Sequence, residues 1–299
     1  YRMRKSDVAH ASWLGASWQQ DAEESIRAIG NTVPDWLIVD HYAIDARWHN
    51  QFRERVGQIM VIDDLADRPL DCDLLLDQTY GRQLDTYQEQ VPPGCQILLG
   101  SRYALLRPEF SKLRPLAIKK RKIFNGINRI LVTMGAMDPD NVTATVLEGL
   151  SRVDWKDKPV IDIVLGGKAP NLKQVESMAK KSTLEILVST DVSDMAERML
   201  AADLAIGASG STSWERCCMG LPSITISIAE NQSLIAYELE KKGAAKYLGT
   251  LEAITEESIK CSVEKIRKTD QLKSMATIGI QIVDGSGAKC LADHLIEKK

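Results

Sequence analysis

The chain has 299 residues, 44% of them hydrophobic, and a formal net charge of −3. That is enough apolar material for one large or two ordinary domains. It leaves no basic footprint for nucleic acid, and no apolar run approaches the roughly 18 residues that span a membrane. The six cysteines, Cys72, Cys95, Cys217, Cys218, Cys261 and Cys290, form no CxxC pair and no zinc quartet, so free thiols in a reducing cytoplasm are expected.

Taken in order, the chain opens on a polar run, Tyr1-Arg2-Met3-Arg4-Lys5, without a strand pattern. Ala22, Ile26 and Ile29 recur at helical spacing and predict a helix over about Gln19–Ile29. Trp36-Leu37-Ile38-Val39-Asp40 has the pattern of a buried parallel strand. Asp40, His41 and Tyr42 then fall at its carboxyl end, where open α/β sheets place their ligands. A helix is expected over Asp45–Arg55, followed by strands at Ile59–Ile62, Leu74–Leu76 and Ile97–Leu99. Asp63, Asp64 and Asp77 also follow strands, as catalytic acids or as caps of the next turn. His41 is the one candidate here for acid–base work, against an ordinary structural histidine. The basic run Arg114–Lys122 reads as a solvated linker, because it is short and holds no aromatic residue. The expected division is therefore a first domain over 1–114, a linker over 115–124 and a second domain over 125–299.

The second half repeats the alternation of strand and helix. Strands are expected at Arg129–Met134, Ile161–Leu165 and Leu184–Val188. Helices are expected from the Asp138-Pro139 turn to about Leu150, from Asn171, over Thr190–Leu200, and at Asn231–Lys242, Glu256–Arg267 and Gly287–Glu297. This is the pattern of a parallel α/β sheet in each half.

The organising stretch is Leu204–Gln232. It reads as a strand, the turn Ala208-Ser209-Gly210-Ser211-Thr212-Ser213, a helix with Trp214, Glu215 and Arg216, a Gly220-Leu221-Pro222 stop, and a second strand over Ser223–Ile228. Helix N-terminal N–H groups attract anions, so Ser211, Thr212 and Ser213 suit a phosphate. Glu215, about one turn further on, suits the two hydroxyls of a ribose. The alternative is a plain N-cap with Glu215 as the acid of a capping box. Both remain open at this point.

The string Gly-Ala-Ser-Gly-Ser-Thr-Ser-Trp-Glu-Arg-Cys-Cys-Met-Gly-Leu-Pro, followed by Ala-Glu-Asn-Gln, resembles the UDP-2,4-diacetamido-2,4,6-trideoxy-β-L-altropyranose hydrolases of pseudaminic acid biosynthesis. That family is related to the lipid II-forming N-acetylglucosaminyltransferases. Asp35–Tyr42, Ile62–Arg68, Cys72–Gln78 and Gly100–Pro108 resemble it too, and together these motifs cover about Trp13–Gly287. The resemblance implies a GT-B fold, α/β, with two Rossmann-like doubly wound domains and an interdomain cleft. It implies a monomer that releases UDP and free sugar from a UDP-sugar with inversion, as in flagellin glycosylation, without metal or cofactor. Asp138 and Asp140 would then not be magnesium ligands.

By the same resemblance, Asp40, His41 and Tyr42 meet the sugar. Gly135, Asp138, Ser211, Thr212 and Ser213 face the phosphates, the backbone near Val192 meets the uracil, Glu215 holds the ribose, and Asn231 and Gln232 lie toward sugar or phosphate. Two departures stand out. The family's loop reads Gly-Gly where this chain has Gly135-Ala136. The family's Gly-x-Gly-His loop, with its catalytic histidine, does not occur, so the first domain is expected to lack roughly 60 residues of an ordinary βαβαβ half. Two rival readings stay open: a GT-B glycosyltransferase using a UDP-sugar donor, and a nucleotide-binding fragment without chemistry.

Overall fold

Among residues 8–297, which the computed structural model describes, ten strands form two sheets, and every hydrogen-bonded pair runs parallel. Two compact units carry them: residues 8–105 with 287–297, and residues 106–286.

The first unit starts with helix α1 (Trp18–Ile29), whose Ser17 hydroxyl accepts from Gln20 N at 3.2 Å as its N-cap. Strand β1 (Trp36–Val39) leads to the short helix α2 (Ala46–His49). The Asp45–Arg55 helix predicted from sequence is cut to this single turn and continues as turns. Strands β2 (Gln58–Ile62), β3 (Leu74–Asp77) and β4 (Gln96–Leu99) complete the sheet in sequential order. Alternation along the strands sorts the core onto two faces. Ile59, Val61 and Leu75 join one cluster with Trp48, Phe52 and Tyr87. Met60, Leu74, Leu76 and Leu98 form another with Leu291, from the last helix.

The second unit begins with α3 (Pro108–Arg121). This helix replaces the expected linker. Arg121 is 3% exposed and donates to three carbonyl oxygens, those of Ala202 at 2.6 Å, Met199 at 2.7 Å and Met219 at 3.3 Å. A run that reads as solvated charge is thus fixed by carbonyls at the ends of other elements. Then follow β5 (Arg129–Thr133), α4 (Val142–Ser151), β6 (Val160–Leu165), α5 (Leu172–Lys181), β7 (Ile186–Thr190), α6 (Met195–Ala201), β8 (Leu204–Ala208), α7 (Thr212–Cys218), β9 (Ser223–Ser227), α8 (Gln232–Lys242), β10 (Ala245–Thr250), α9 (Glu256–Ile266) and α10 (Thr269–Ile282).

Strand β7 sits two residues later than expected and α6 starts only at Met195. Between them Asp191 adopts a left-handed φ of 49°, which a helix running on from Thr190 does not permit. Sequence periodicity misses β10, a polar edge strand, and the whole of α10. The last helix, α11 (Gly287–Glu297), belongs to the first unit instead of the second. A Cβ on Gly287 would collide with Ala104 O, and Trp36 Nε1 donates to Leu295 O at 3.0 Å.

The six-stranded sheet has the order β10-β9-β8-β5-β6-β7. The chain builds outward from β5 in one direction and then, from β8, in the other. This is a doubly wound arrangement with its switch point between β5 and β8, where such sheets hold ligands at the strand carboxyl ends.

Candidate functional site

Two strand ends frame the switch point. Thr133 of β5 pairs in register with Gly207 of β8. After β5, Gly135 takes φ 85° and Asp138 takes φ 40°, while Ala136 stays out of the left-handed region. Alanine at the family's second glycine position is therefore accommodated without strain. Asp138 is 4% exposed, and both its oxygens accept backbone N–H groups at the start of α4, from Val142 at 2.9 Å and Thr143 at 3.0 Å. This corrects the expectation that Asp138 faces a ligand: its carboxylate is committed to capping α4 and to shaping the Gly135 loop.

After β8, Ser209 is anchored by its own N–H and hydroxyl to Ile226 O. Gly210 leaves room for a neighbour. A Cβ there would lie 3.5 Å from Nε2 of Gln232, whose Oε1 accepts from Ile228 N at 3.2 Å. Gln232 and Asn231, at the start of α8, are thus brought beside the turn. Ser211 occupies the N-cap position of α7, but its side chain makes no capping bond. Glu215 is the fourth residue of the helix, not the third, so no capping box forms. The carboxylate of Glu215 is half-buried and has no hydrogen-bond or ion-pair partner among the described residues. Desolvation raises its pKa above the ordinary glutamate value, with the Arg107 and Arg216 charges working in the opposite direction. The capped-helix alternative therefore loses both bonds that would define it.

Further along the sheet, Gly167 N donates to Asp191 Oδ1 at 3.0 Å. Val192 lies half-buried just beyond β7, two strands from the switch point.

In the first unit, Asp40, His41 and Tyr42 follow β1. Tyr42 donates to Asp64 Oδ1 at 2.6 Å, and burial together with that carboxylate raises its pKa. Nδ1 of His41 accepts from Ala43 N at 3.1 Å. A neutral imidazole with its lone pair held at Nδ1 carries its proton on Nε2. His41 therefore presents an Nε2 donor. Asp40 is exposed, and partial desolvation raises its carboxyl, opposed by His41.

The other strand-end acids are structural. Asp63 pairs with buried Arg68 at 2.8 Å and accepts from Leu65 N and Ala66 N. Asp77 pairs with Arg82 at 2.6 Å and accepts from Thr79 N at 2.7 Å. Tyr87 is fully buried, with its hydroxyl 3.0 Å from a carboxylate oxygen of each aspartate.

Comparison with known proteins gives the family. Residues 129–288 match the glycosyltransferase family 28 C-terminal domain, and the chain belongs to that family. It is 32% identical over 273 residues to the spore coat polysaccharide biosynthesis protein SpsG of Bacillus subtilis, covering 90% of this chain and 78% of that one. It is 26% identical over 226 residues to the UDP-2,4-diacetamido-2,4,6-trideoxy-β-L-altropyranose hydrolase of Campylobacter jejuni, covering 74% and 78%. The crystal structure of Acinetobacter baumannii MurG superposes with a TM-score of 0.65 at 14% identity, covering 93% of this chain and 77% of that one. The fold is GT-B.

Proposed function

We propose that this chain acts on a UDP-sugar and hydrolyses it at the anomeric C–O bond, releasing UDP and the free sugar with inversion. The observation that carries the nucleotide part is the carboxylate of Glu215, half-buried and without a partner among the described residues, one turn into the helix that follows β8 at the switch point. An unpaired, partly desolvated acceptor costs stability and is retained where a ligand supplies donors. Two ribose hydroxyls do so. Ser211, Thr212 and Ser213, with the Gly135 loop on the neighbouring strand, receive the diphosphate. Gln232 and Asn231 extend the site toward the sugar, and the backbone at Val192 receives the base.

The choice of hydrolysis rests on the resemblance to the altropyranose hydrolases. Inverting hydrolysis needs a base to activate water and stabilisation of the departing diphosphate. Among the Asp40, His41 and Tyr42 group, Asp40 is the acceptor, its carboxyl pKa raised by partial burial. His41 Nε2 and the Tyr42–Asp64 pair orient the sugar. The match to a glycosyltransferase family 28 domain favours one second reading, transfer of the sugar to an acceptor.

Calorimetric titration with UDP against AMP tests the nucleotide site, with selective micromolar UDP binding as the expected result and equal or absent binding as the overturning one. Incubation with the UDP-linked diacetamido-trideoxy-altrose, followed by proton NMR, tests the chemistry. Free inverted sugar without an acceptor supports hydrolysis. Release that requires an added acceptor supports transfer.

A further inference from the structure

Against the turn after β8 lies a buried charge that makes no contact with the nucleotide in the proposed function. Arg216, on α7, is 1% exposed. Its Nη2 donates to Ala208 O at 2.8 Å and to Ser213 Oγ at 2.9 Å. Its Nε and Nη1 have no hydrogen-bond partner among the described residues. No carboxylate pairs with it among the described residues; Glu215 acts on it only through space. Elsewhere in this protein buried arginines are answered, Arg68 by Asp63 and Arg121 by three carbonyls. Arg216 is the exception among these three.

The fold makes room for it. A Cβ on Gly207 would lie 2.7 Å from Nη1 of Arg216 and 2.6 Å from Thr133 O. A glycine inside a central strand weakens the strand and marks a close approach, and here what approaches is the guanidinium. It therefore lies against the register pair Thr133–Gly207, at the carboxyl ends of the two strands that define the switch point.

Burial lowers its pKa to about 10, so it stays protonated at neutral pH. A buried cation without a counter-ion costs several kcal/mol. In a low-dielectric setting its field on a neighbouring anion is much less screened than that of a surface lysine.

We propose that Arg216 is the buried counter-charge for the diphosphate, a positioning residue that never touches the ligand. It acts in two ways. Its field favours negative charge at the Ser209–Ser213 turn. By donating to Ser213 Oγ, it also leaves the Ser213 hydroxyl proton free to be donated onward. The anion then neutralises a charge that the free protein holds uncompensated, so binding selects for phosphate instead of for the nucleoside.

This rests on the reading of the turn as the diphosphate site, and the test separates the two. Affinities of the full chain for UDP, UMP and uridine are measured by calorimetry for wild type, Arg216→Gln, Arg216→Lys and Ser213→Ala, with melting curves to establish folding. The counter-charge predicts that Arg216→Gln loses roughly 30-fold for UDP, less for UMP, and within about threefold of nothing for uridine. Arg216→Lys, which keeps the charge, restores most of the loss. Ser213→Ala, a small change that folds even if the arginine variants do not, loses about fivefold for UDP and nothing for uridine.

Equal losses for all three ligands would make Arg216 merely structural and overturn the inference while leaving the nucleotide site standing. So would a lysine variant as weak as the glutamine one, or an unchanged Ser213→Ala. A wild-type chain that binds uridine as well as UDP would overturn the diphosphate reading of the turn, and this inference with it.

Discussion

At the strand ends of the first unit, acids and bases answer one another. Asp63 meets Arg68, Asp77 meets Arg82, and Tyr87 sits between the two carboxylates. At the switch point of the second unit, neighbouring residues of one helix, Glu215 and Arg216, both lack ion-pair partners among the described residues. Both places have charged residues following apolar strands, so sequence pattern alone treats them alike. What differs is whether the protein completes its own electrostatics. A completed network rigidifies the fold and has nothing left to offer a ligand, whereas an uncompleted one holds free acceptors and charge for binding.

The largest effect should come from breaking the completed side. Asp63→Ala removes the buried partner of the Arg68 guanidinium, itself 3% exposed, leaves it only the exposed Asp67 as counter-ion, and frees the N–H groups of Leu65 and Ala66; it is expected to cost about 3 kcal/mol in urea unfolding. A variant that kept its stability would make Asp63 a functional acid after all. Glu215→Ala should behave in the opposite sense, weakening UDP binding by about 2–3 kcal/mol while leaving the melting temperature unchanged or higher. Unchanged UDP affinity would remove Glu215 from the site.

The pH dependence sharpens the same contrast. The folded chain binds the Glu215 proton more tightly than the unfolded chain does. Its contribution to stability therefore falls as pH rises from the ordinary glutamate value, about 4.3, through the raised folded value. Glu215→Gln should abolish that slope, as read from melting temperatures across the acid range.

Gly207→Ala should cost about 1–3 kcal/mol by overpacking against Thr133 O and the guanidinium, measured by denaturant unfolding. A neutral result would mean that the strand yields where the structure shows it closed. The smallest effects belong to His41. Asparagine there can keep the bond from Ala43 N and delete the Nε2 donor, and glutamine does the reverse. The expectation is a several-fold rise in KM for the asparagine variant, a rate–pH profile of unchanged shape for both, and stability within about 0.5 kcal/mol of wild type. A lost acidic limb in that profile would make His41 the base.

Much of this was legible in the sequence. Apolar runs such as Leu74-Leu75-Leu76 and Ile130-Leu131-Val132 announce buried parallel strands, and Gly220-Leu221-Pro222 announces a helix stop, because those signals are local. Asp138 was misread because a carboxylate facing a ligand and one capping a helix four residues on have the same spacing. Arg121 was misread because the carbonyls that hold it lie some 80 to 100 residues away in the chain. Gly207 offered the one overlooked cue: a glycine within the buried strand Leu204–Ala208 asks what lies against it, and the answer, Arg216, stands nine positions on.

The return of α11 to the first unit has a consequence for the order in which the chain acquires its structure. Leu291 belongs to the apolar cluster formed by Met60, Leu74, Leu76 and Leu98. That cluster stays open until residues 287–297 have left the ribosome. Domains generally fold as units during synthesis, and residues 106–286 have emerged in full before that moment. The unit made later can therefore be complete while the apolar cluster of the earlier one still lacks Leu291.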